Sequence, residues 1–155
     1  MPIRVSVVPP RARSGYHVGM YELFEHTADL GLRVRAADLD TLFAEAAACL
    51  FTAVVEDLGT VRPAAEVRVE LAGDDREFLL FDWLRELLRR HDADRLLFGT
   101  FTVSVRPDGL TGTAWGEAID AARHALSHEV KAITYHELTV APTADGWLAE
   151  VIVDI

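Results

Sequence analysis

The sequence has a single cysteine and no long apolar run, and each absence excludes a class of protein. Cys49 has no second cysteine to pair with, and its Ala-rich apolar surroundings predict a buried, inert thiol. No stretch approaches the roughly 20 apolar residues that a transmembrane helix needs. Residues 1–19 lack a signal-peptide core because Pro9 and Pro10 interrupt a short apolar run. We therefore expect a cytoplasmic protein with no membrane partner.

The motifs that would supply a complete active site are also absent. The sequence contains no GxxxxGKS/T phosphate-binding loop and no GxSxG nucleophile motif. It has no basic patch with interleaved aromatic residues, so direct binding to nucleic acid is not expected. Because the one thiol is expected to be buried, nucleophilic catalysis is not expected either.

The charge balance bears on the partners. There are 25 acidic and 15 basic residues, which gives a formal net charge of −10. Such a chain is a poor general binder of nucleic-acid backbones. We expect its partners to be cations or a basic surface of another protein.

The length and composition indicate one domain with an extra N-terminal segment. A chain of 155 residues, of which 50% are hydrophobic, has enough apolar material for one core. Residues 1–19 are interrupted by proline and glycine and are locally basic, which predicts an irregular, flexible leader. Residues 20–155 are predicted to form the single domain.

Local patterns predict two helices and about seven strands. Asp38 is placed to cap a helix over 39–54, and Asp74 with Glu77 begins a second helix that ends near His91. Alternating apolar residues predict strands at 21–25, 30–35, 61–72, 96–105, 110–118, 129–140 with a bulge near 134–137, and 147–155. The predicted class is α+β, a two-layer, mostly antiparallel sheet of about 6–7 strands with both helices on one face.

Polar side chains are concentrated between the first two predicted strands. Glu25, His26, Thr27 and Asp29 each carry a group that titrates or forms hydrogen bonds. One interpretation is a turn in which Thr27 and Asp29 only satisfy nearby backbone N–H groups. The other is a rigid mount for a ligand or a base. These residues alone leave both interpretations open.

A second set of carboxylates lies at the end of the last predicted strand. Asp154 stands beside the α-carboxylate of Ile155. Two carboxylates this close are unfavourable unless a cation lies between them, and Asp29 would complete an all-oxygen site for a hard divalent cation. The alternative is a frayed, solvated chain end.

Histidines and one lysine are the remaining candidates. His26 either binds a softer metal or orients an acid, or it forms hydrogen bonds to the turn backbone. His124 and His128 are four residues apart, a spacing that suits zinc on a helix. No thiolate cluster or HExxH motif accompanies them, so a solvated loop explains them better. Lys131 lies in an apolar predicted strand, where a lysine usually faces solvent.

Four segments, in order, resemble motifs of the archease family. They are EHTADLGL at 25–32, LLFDWLRELL at 79–88, EVKAITYH at 129–136 and WLAEVIVDI at 147–155. The resemblance spans Tyr21 to Ile155, with Leu30 and Leu32 where the family usually has Ile. It implies the two-layer α+β fold expected above.

The resemblance also implies a metal site and further functional residues. It implies that Asp29, Asp154 and Ile155 bind a divalent metal ion, which would be calcium, or manganese or magnesium in function. It places Lys131 and His124 in family motifs. Functional candidates are therefore Lys131, His26 and His124, with Tyr135 and His136 as neighbours of Lys131.

The function implied by the resemblance is that of an accessory protein rather than an enzyme. Archeases activate the RtcB-type RNA ligase of tRNA splicing and RNA repair by promoting its guanylylation and multiple turnover. GTP would then be used only through the ligase. The alternative is a small metal-dependent hydrolase using Asp29, Asp154 and His26. A chaperone or methyltransferase modulator ranks last, because the apolar residues are accounted for by core faces.

Overall fold

A computed structural model describes residues 4–8 and 20–155, and the strands of this part of the chain pair antiparallel. The helices are α1 (Leu39–Val54) and α2 (Arg76–Asp94), with a 3₁₀ turn at Leu58–Thr60. The strands are β1 (Arg4–Val8), β2 (Met20–His26), β3 (Asp29–Ala36), β4 (Ala65–Ala72), β5 (Leu96–Arg106), β6 (Gly109–Ala118), β7 (Ala132–Ile133), β8 (Thr139–Thr143) and β9 (Gly146–Asp154). The predicted α+β class is confirmed.

The strands divide between two sheets, which differs from the single sheet predicted. One sheet has the order β1-β2-β3-β9-β7, with β8 also paired to β9, and the other has the order β4-β6-β5. Helix α1 contacts both sheets, and apolar residues on several of its sides are buried. A helix that is apolar around much of its circumference needs cover on more than one side. The sequence pattern indicates strands but not which of them pair.

The helix starts show one confirmed cap and one correction. Asp38 caps α1 as predicted, since its side chain accepts a hydrogen bond from the N–H of Thr41 at 2.8 Å. Helix α2 is capped by Asp75, which accepts from the N–H of Phe78 at 3.1 Å, and not by Asp74. Glu77 does not complete a capping box, because it accepts a hydrogen bond from the N–H of Val140.

Helix α2 also ends later than predicted. It continues to Asp94, three residues beyond His91. Arg95 then adopts a left-handed conformation with φ of 56°, which is a common way for a helix to end.

The prediction of one strand over 129–140, with a bulge near 134–137, is wrong. Only Ala132–Ile133 and Thr139–Thr143 are strands, and a turn separates them. The hydroxyl of Thr134 donates to the carbonyl of Ile152 at 2.8 Å, and the N–H of His136 donates to that hydroxyl at 3.2 Å. Such local side-chain bonds compete with a strand ladder, and apolar alternation does not reveal them.

The irregular leader prediction is wrong for residues 4–8, which form β1 against β2. Without β1, strand β2 would leave a row of unpaired backbone groups at the edge of the sheet. The rest of 1–19 lies outside the described residues.

The core fills the space around α1 and between the sheets. Trp83 is fully buried, and its indole N–H donates to the carbonyl of Phe43 at 3.0 Å, which ties α2 to α1. Cys49 is buried as predicted, and burial raises the pKa of its thiol. Among the described residues, neither helix has the length and apolar character to cross a membrane.

Candidate functional site

The polar corner is the turn of a tight hairpin between β2 and β3. His26 pairs with Asp29, so only Thr27 and Ala28 lie in the turn. Thr27 has φ of 53°, the left-handed conformation that tight hairpin turns require. The predicted five-residue corner therefore shortens to two residues, and His26 and Asp29 are held by strand pairing rather than by a loop.

Four strands place three polar residues and one alanine in a row at the end of the large sheet. Strands β3 and β9 pair from Leu30 and Val153 inward, so Asp29 falls opposite Asp154 one position further out. Asp154 in turn pairs with Ala132 on β7. We call the row of His26, Asp29, Asp154 and Ala132 the terminal row. Residues paired across strands share one face of a sheet.

Within residues 20–155, the two aspartates of the terminal row have no cationic partner. No lysine or arginine of this range forms an ion pair with Asp29 or Asp154. Directly opposite residues place their Cβ atoms about 4.5–5.5 Å apart, close enough for two carboxylates to repel. Their oxygen atoms are the ligands that a hard divalent cation prefers. This donor set therefore fits the divalent metal that the family resemblance implies.

A second row on the same face of the sheet consists of Glu22, Arg33 and Glu150, and here the two acids flank a cation. The guanidinium of Arg33 donates to Glu22 and to Glu150, each at 2.9 Å. Burial lowers the pKa of Arg33, but the hydrogen bonds to these two acids outweigh it and raise the pKa overall. The terminal row likewise has two acids, Asp29 and Asp154, but within residues 20–155 no arginine lies between them as Arg33 lies between Glu22 and Glu150.

The candidates next to Asp154 are Ile155 and Lys131. The N–H of Lys131 donates to the carbonyl of Asp154 at 2.7 Å, which fixes this backbone at the end of β9. The Lys131 side chain is exposed and Ile155 is half-buried. Both residues therefore lie at the terminal row, and their roles remain predictions.

Tyr135 lies elsewhere than predicted. Its ring stacks on Phe81 with centroids 3.9 Å apart and contacts Phe78 edge-on at 5.6 Å. Tyr135 therefore packs on α2, and its ring is not a flank for Lys131.

His124 belongs to a separate buried network. The N–H of Asp120 donates to its Nδ1 at 2.9 Å, so the proton is on Nε2, which donates to Glu117 at 3.0 Å. The prediction of a solvated loop is wrong for His124, whose side chain is buried. Because both ring nitrogens are used, His124 and His128 do not form a zinc pair here.

Glu117 is the centre of that network. The guanidinium of Arg123 donates to Glu117, and the backbone N–H of Arg62 donates to it at 2.8 Å. These bonds, that of Arg123 first, lower the pKa of Glu117 from 4.5 to about 2. The network holds the connection between β6 and β7 in place.

The structure adds one cluster that the sequence did not indicate. Glu137 lies between two imidazoles, with Oε2 at 3.1 Å from Nε2 of His26 and Oε1 at 3.7 Å from Nε2 of His136. The two rings meet edge-on with centroids 5.5 Å apart. The sequence suggests His136 only as a neighbour of Lys131 and gives no role to Glu137. The adjacency of His136 and Glu137 is the one sequence signal for this cluster.

The fold and the terminal row define a class of protein: a small antiparallel α+β domain that gathers carboxylates and imidazoles at one end of a sheet. The chain belongs to the archease family, and residues 21–155 match the model of the Archease protein family (MTH1598/TM1083). The resemblance seen in the sequence is confirmed over the same span.

Relatives from several archaea support this assignment. The chain is 39% identical to a protein archease of Pyrococcus furiosus and 42% identical to one of Methanopyrus kandleri. These matches cover 87% of this chain and 98% and 99% of the relatives. The solution structure of Methanobacterium thermoautotrophicum protein 1598 is 40% identical, with a TM-score of 0.77 over 87% of this chain and 98% of that one.

Proposed function

We propose that this protein is an accessory protein that activates an RtcB-type RNA ligase in tRNA splicing and RNA repair. In this proposal Asp29, Asp154 and an oxygen atom of Ile155 hold a divalent cation, calcium or, in function, manganese or magnesium. Membership of the archease family supports the ligase partner. The observation that supports the metal site is the pair of aspartates in the terminal row, which have no cationic partner among residues 20–155.

The residues of the terminal row suit an auxiliary role in nucleotidyl transfer. Phosphoryl-type transfer depends mainly on positioning and on stabilising negative charge, so a protein without a nucleophile can contribute. A cation held by Asp29 and Asp154 would supply positive charge at this end of the sheet. Lys131 is held beside Asp154 by the hydrogen bond from its N–H to the Asp154 carbonyl. Lys131 is exposed, so its ammonium group is available to a phosphate or to an acid of the partner.

The net charge is consistent with such a partner. A chain with a formal net charge of −10 is attracted to a basic, RNA-binding surface, which increases the rate of encounter. The ligase rather than this chain would then contact the RNA and GTP.

The test is a time course of ligase guanylylation at fixed manganese, with wild-type protein, Asp154→Ala and the control Asp145→Ala. Asp145 is an exposed aspartate in the turn before β9. We expect wild type and Asp145→Ala to accelerate formation of the ligase–GMP adduct and Asp154→Ala to lose most of the acceleration. Equal acceleration by all three would disprove the role of the metal site but not the activator role. No acceleration by wild type would disprove both.

A small metal-dependent hydrolase is the second candidate, because His26 pairs with Asp29 and so places an imidazole beside the carboxylates. This reading requires hydrolysis of a phosphoester in the presence of the metal alone. Turnover that is lost in Asp29→Ala would support it, and no turnover across a phosphoester panel would reject it.

A further inference from the structure

A second set of ligating side chains combines His26 of the terminal row with His136 and Glu137 from the turn between β7 and β8. The donor atoms of His26, His136 and Glu137 all lie within 4.8 Å of one another. We propose that these three residues form a binding site for a divalent transition-metal ion, with zinc as the best fit. The proposal does not depend on ligase activation or on the cation of Asp29 and Asp154.

The distances suit tetrahedral coordination. Bonds of about 2.0–2.2 Å from zinc to nitrogen or oxygen separate the ligand atoms by about 3.3–3.6 Å. The Glu137 oxygens are 3.1 Å and 3.7 Å from the two imidazole Nε2 atoms, on either side of that range. Small side-chain rotations therefore bring the three groups to one ion.

The turn that carries two of the ligands is held rigidly. Glu137 has φ of 54°, a conformation that costs energy for a residue with a side chain. The hydroxyl of Thr139 donates to the carbonyl of Glu137 at 3.0 Å, and the hydroxyl of Thr134 ties the start of the turn to β9. The third ligand, His26, is fixed by its strand pairing with Asp29. The three side chains thus face each other from rigid supports.

The protein leaves His26 incompletely satisfied. Its Nδ1 atom is buried and has no hydrogen-bond partner among the described residues. Buried polar atoms without a partner are rare and call for an explanation such as a bound ion or water. An ion held at Nε2 by Glu137 and His136 would fix the His26 tautomer with its proton on Nδ1, and a buried water could then accept that proton.

The ligand types separate this site from the carboxylates of the terminal row. Two imidazoles and one carboxylate favour zinc and related transition metals, whereas an all-oxygen set favours calcium, magnesium or manganese. The side chains of His136 and Glu137 are 62% and 60% exposed, so a fourth position is open to water or to a ligand from a partner. Three protein ligands and one open position are the usual arrangement of a reactive zinc site.

The experiment is a titration of the metal-free full-length chain with Co²⁺, whose visible absorption reports tetrahedral coordination, followed by displacement with Zn²⁺. We expect saturable tetrahedral binding in wild type. His136→Ala and Glu137→Gln should bind at least about 10-fold more weakly, since even residues supporting a ligand change affinity by that factor. The matched control is His128→Ala, which removes a histidine outside the cluster and should bind like wild type. Asp154→Ala removes a carboxylate of the other proposed cation site, so it should keep the tetrahedral Co²⁺ absorption even if it loses Co²⁺ bound at that other site.

Several outcomes would overturn the proposal. One is the absence of a tetrahedral Co²⁺ spectrum in wild type, which would leave the cluster as a histidine–glutamate ion pair only. Unchanged binding in both His136→Ala and Glu137→Gln would also reject it. So would loss of binding in Asp154→Ala alone, because the ion would then belong to the terminal row.

Discussion

Asp29 on β3 and Asp154 on β9 face each other one position beyond Leu30 and Val153, the last pair of their register. They are 125 residues apart in the sequence, and only the pairing of the two strands brings them together. Two rows further along the same face, Arg33 separates Glu22 from Glu150. The terminal row, in contrast, has two carboxylates and no arginine or lysine paired with them within residues 20–155.

Removing one of these carboxylates has opposite consequences with and without metal. In the presence of a chelator, Asp154→Asn should be at least as stable as wild type, because the substitution removes one of two neighbouring negative charges. With calcium at about 100 times its Kd, wild type should gain about 2.7 kcal/mol by mass action and the variant little. Thermal unfolding with and without calcium measures both effects, and Asp145→Asn is the control. An equal gain in Asp154→Asn and wild type would contradict the metal site.

The Glu117 network predicts a pH dependence of stability. The pKa of Glu117 is 4.5 ordinarily and about 2 in the folded protein, so the folded state takes up this proton less readily. Its contribution to stability is therefore complete above about pH 4.5 and is lost as the pH falls towards 2. Glu117→Gln should be less stable than wild type at pH 7, and the difference should shrink at pH 3 and below.

Denaturant unfolding of both proteins across this pH range checks the prediction. The control is Glu66→Gln, which changes an exposed glutamate of β4. A difference between wild type and Glu117→Gln that stays constant with pH would show that the carboxylate charge does not matter.

The start of α2 offers a matched pair of adjacent aspartates. Asp75→Ala should lower the free energy of unfolding by about 1 kcal/mol, because it removes the side chain that accepts from the N–H of Phe78. Asp74→Ala should change it by less than about 0.5 kcal/mol, as for an ordinary surface substitution. Urea unfolding of the two variants decides the question, and the reverse order would restore the cap that the sequence suggested.

The approach of β6 to α2 leaves no room for a side chain at Gly112. A Cβ atom there would lie 2.5 Å from the ring of Trp83, which is fully buried. Gly112→Ala should therefore destabilise the fold by about 1–3 kcal/mol through overpacking. The double variant with Trp83→Phe should recover part of that loss, because the smaller ring vacates the space. Strictly additive effects in denaturant unfolding would mean that the two residues do not compete for this space.

Local signals were sufficient for much of the fold. Helix α1 begins and ends where its apolar spacing and the Asp38 cap predict, over Leu39–Val54. The hairpin of β5 and β6 follows from alternation around a strong turn signal at 106–109. Such features depend on hydrogen bonds and side-chain periodicity within a few residues, so the sequence alone determines them. The family was recognisable for the same reason, because its motifs are short and contiguous.

The rest was decided only by long-range packing. Apolar alternation does not say that the strands form two sheets around α1, and it does not reveal that Thr134 ends a strand by bonding to Ile152. The candidate sites belong to this second kind. Asp29 was identified from the sequence, but its position opposite Asp154 depends on the register of β3 and β9. Apart from its place beside His136, the exposed Glu137 has no local mark of function, and only the turn after β7 places it between His26 and His136.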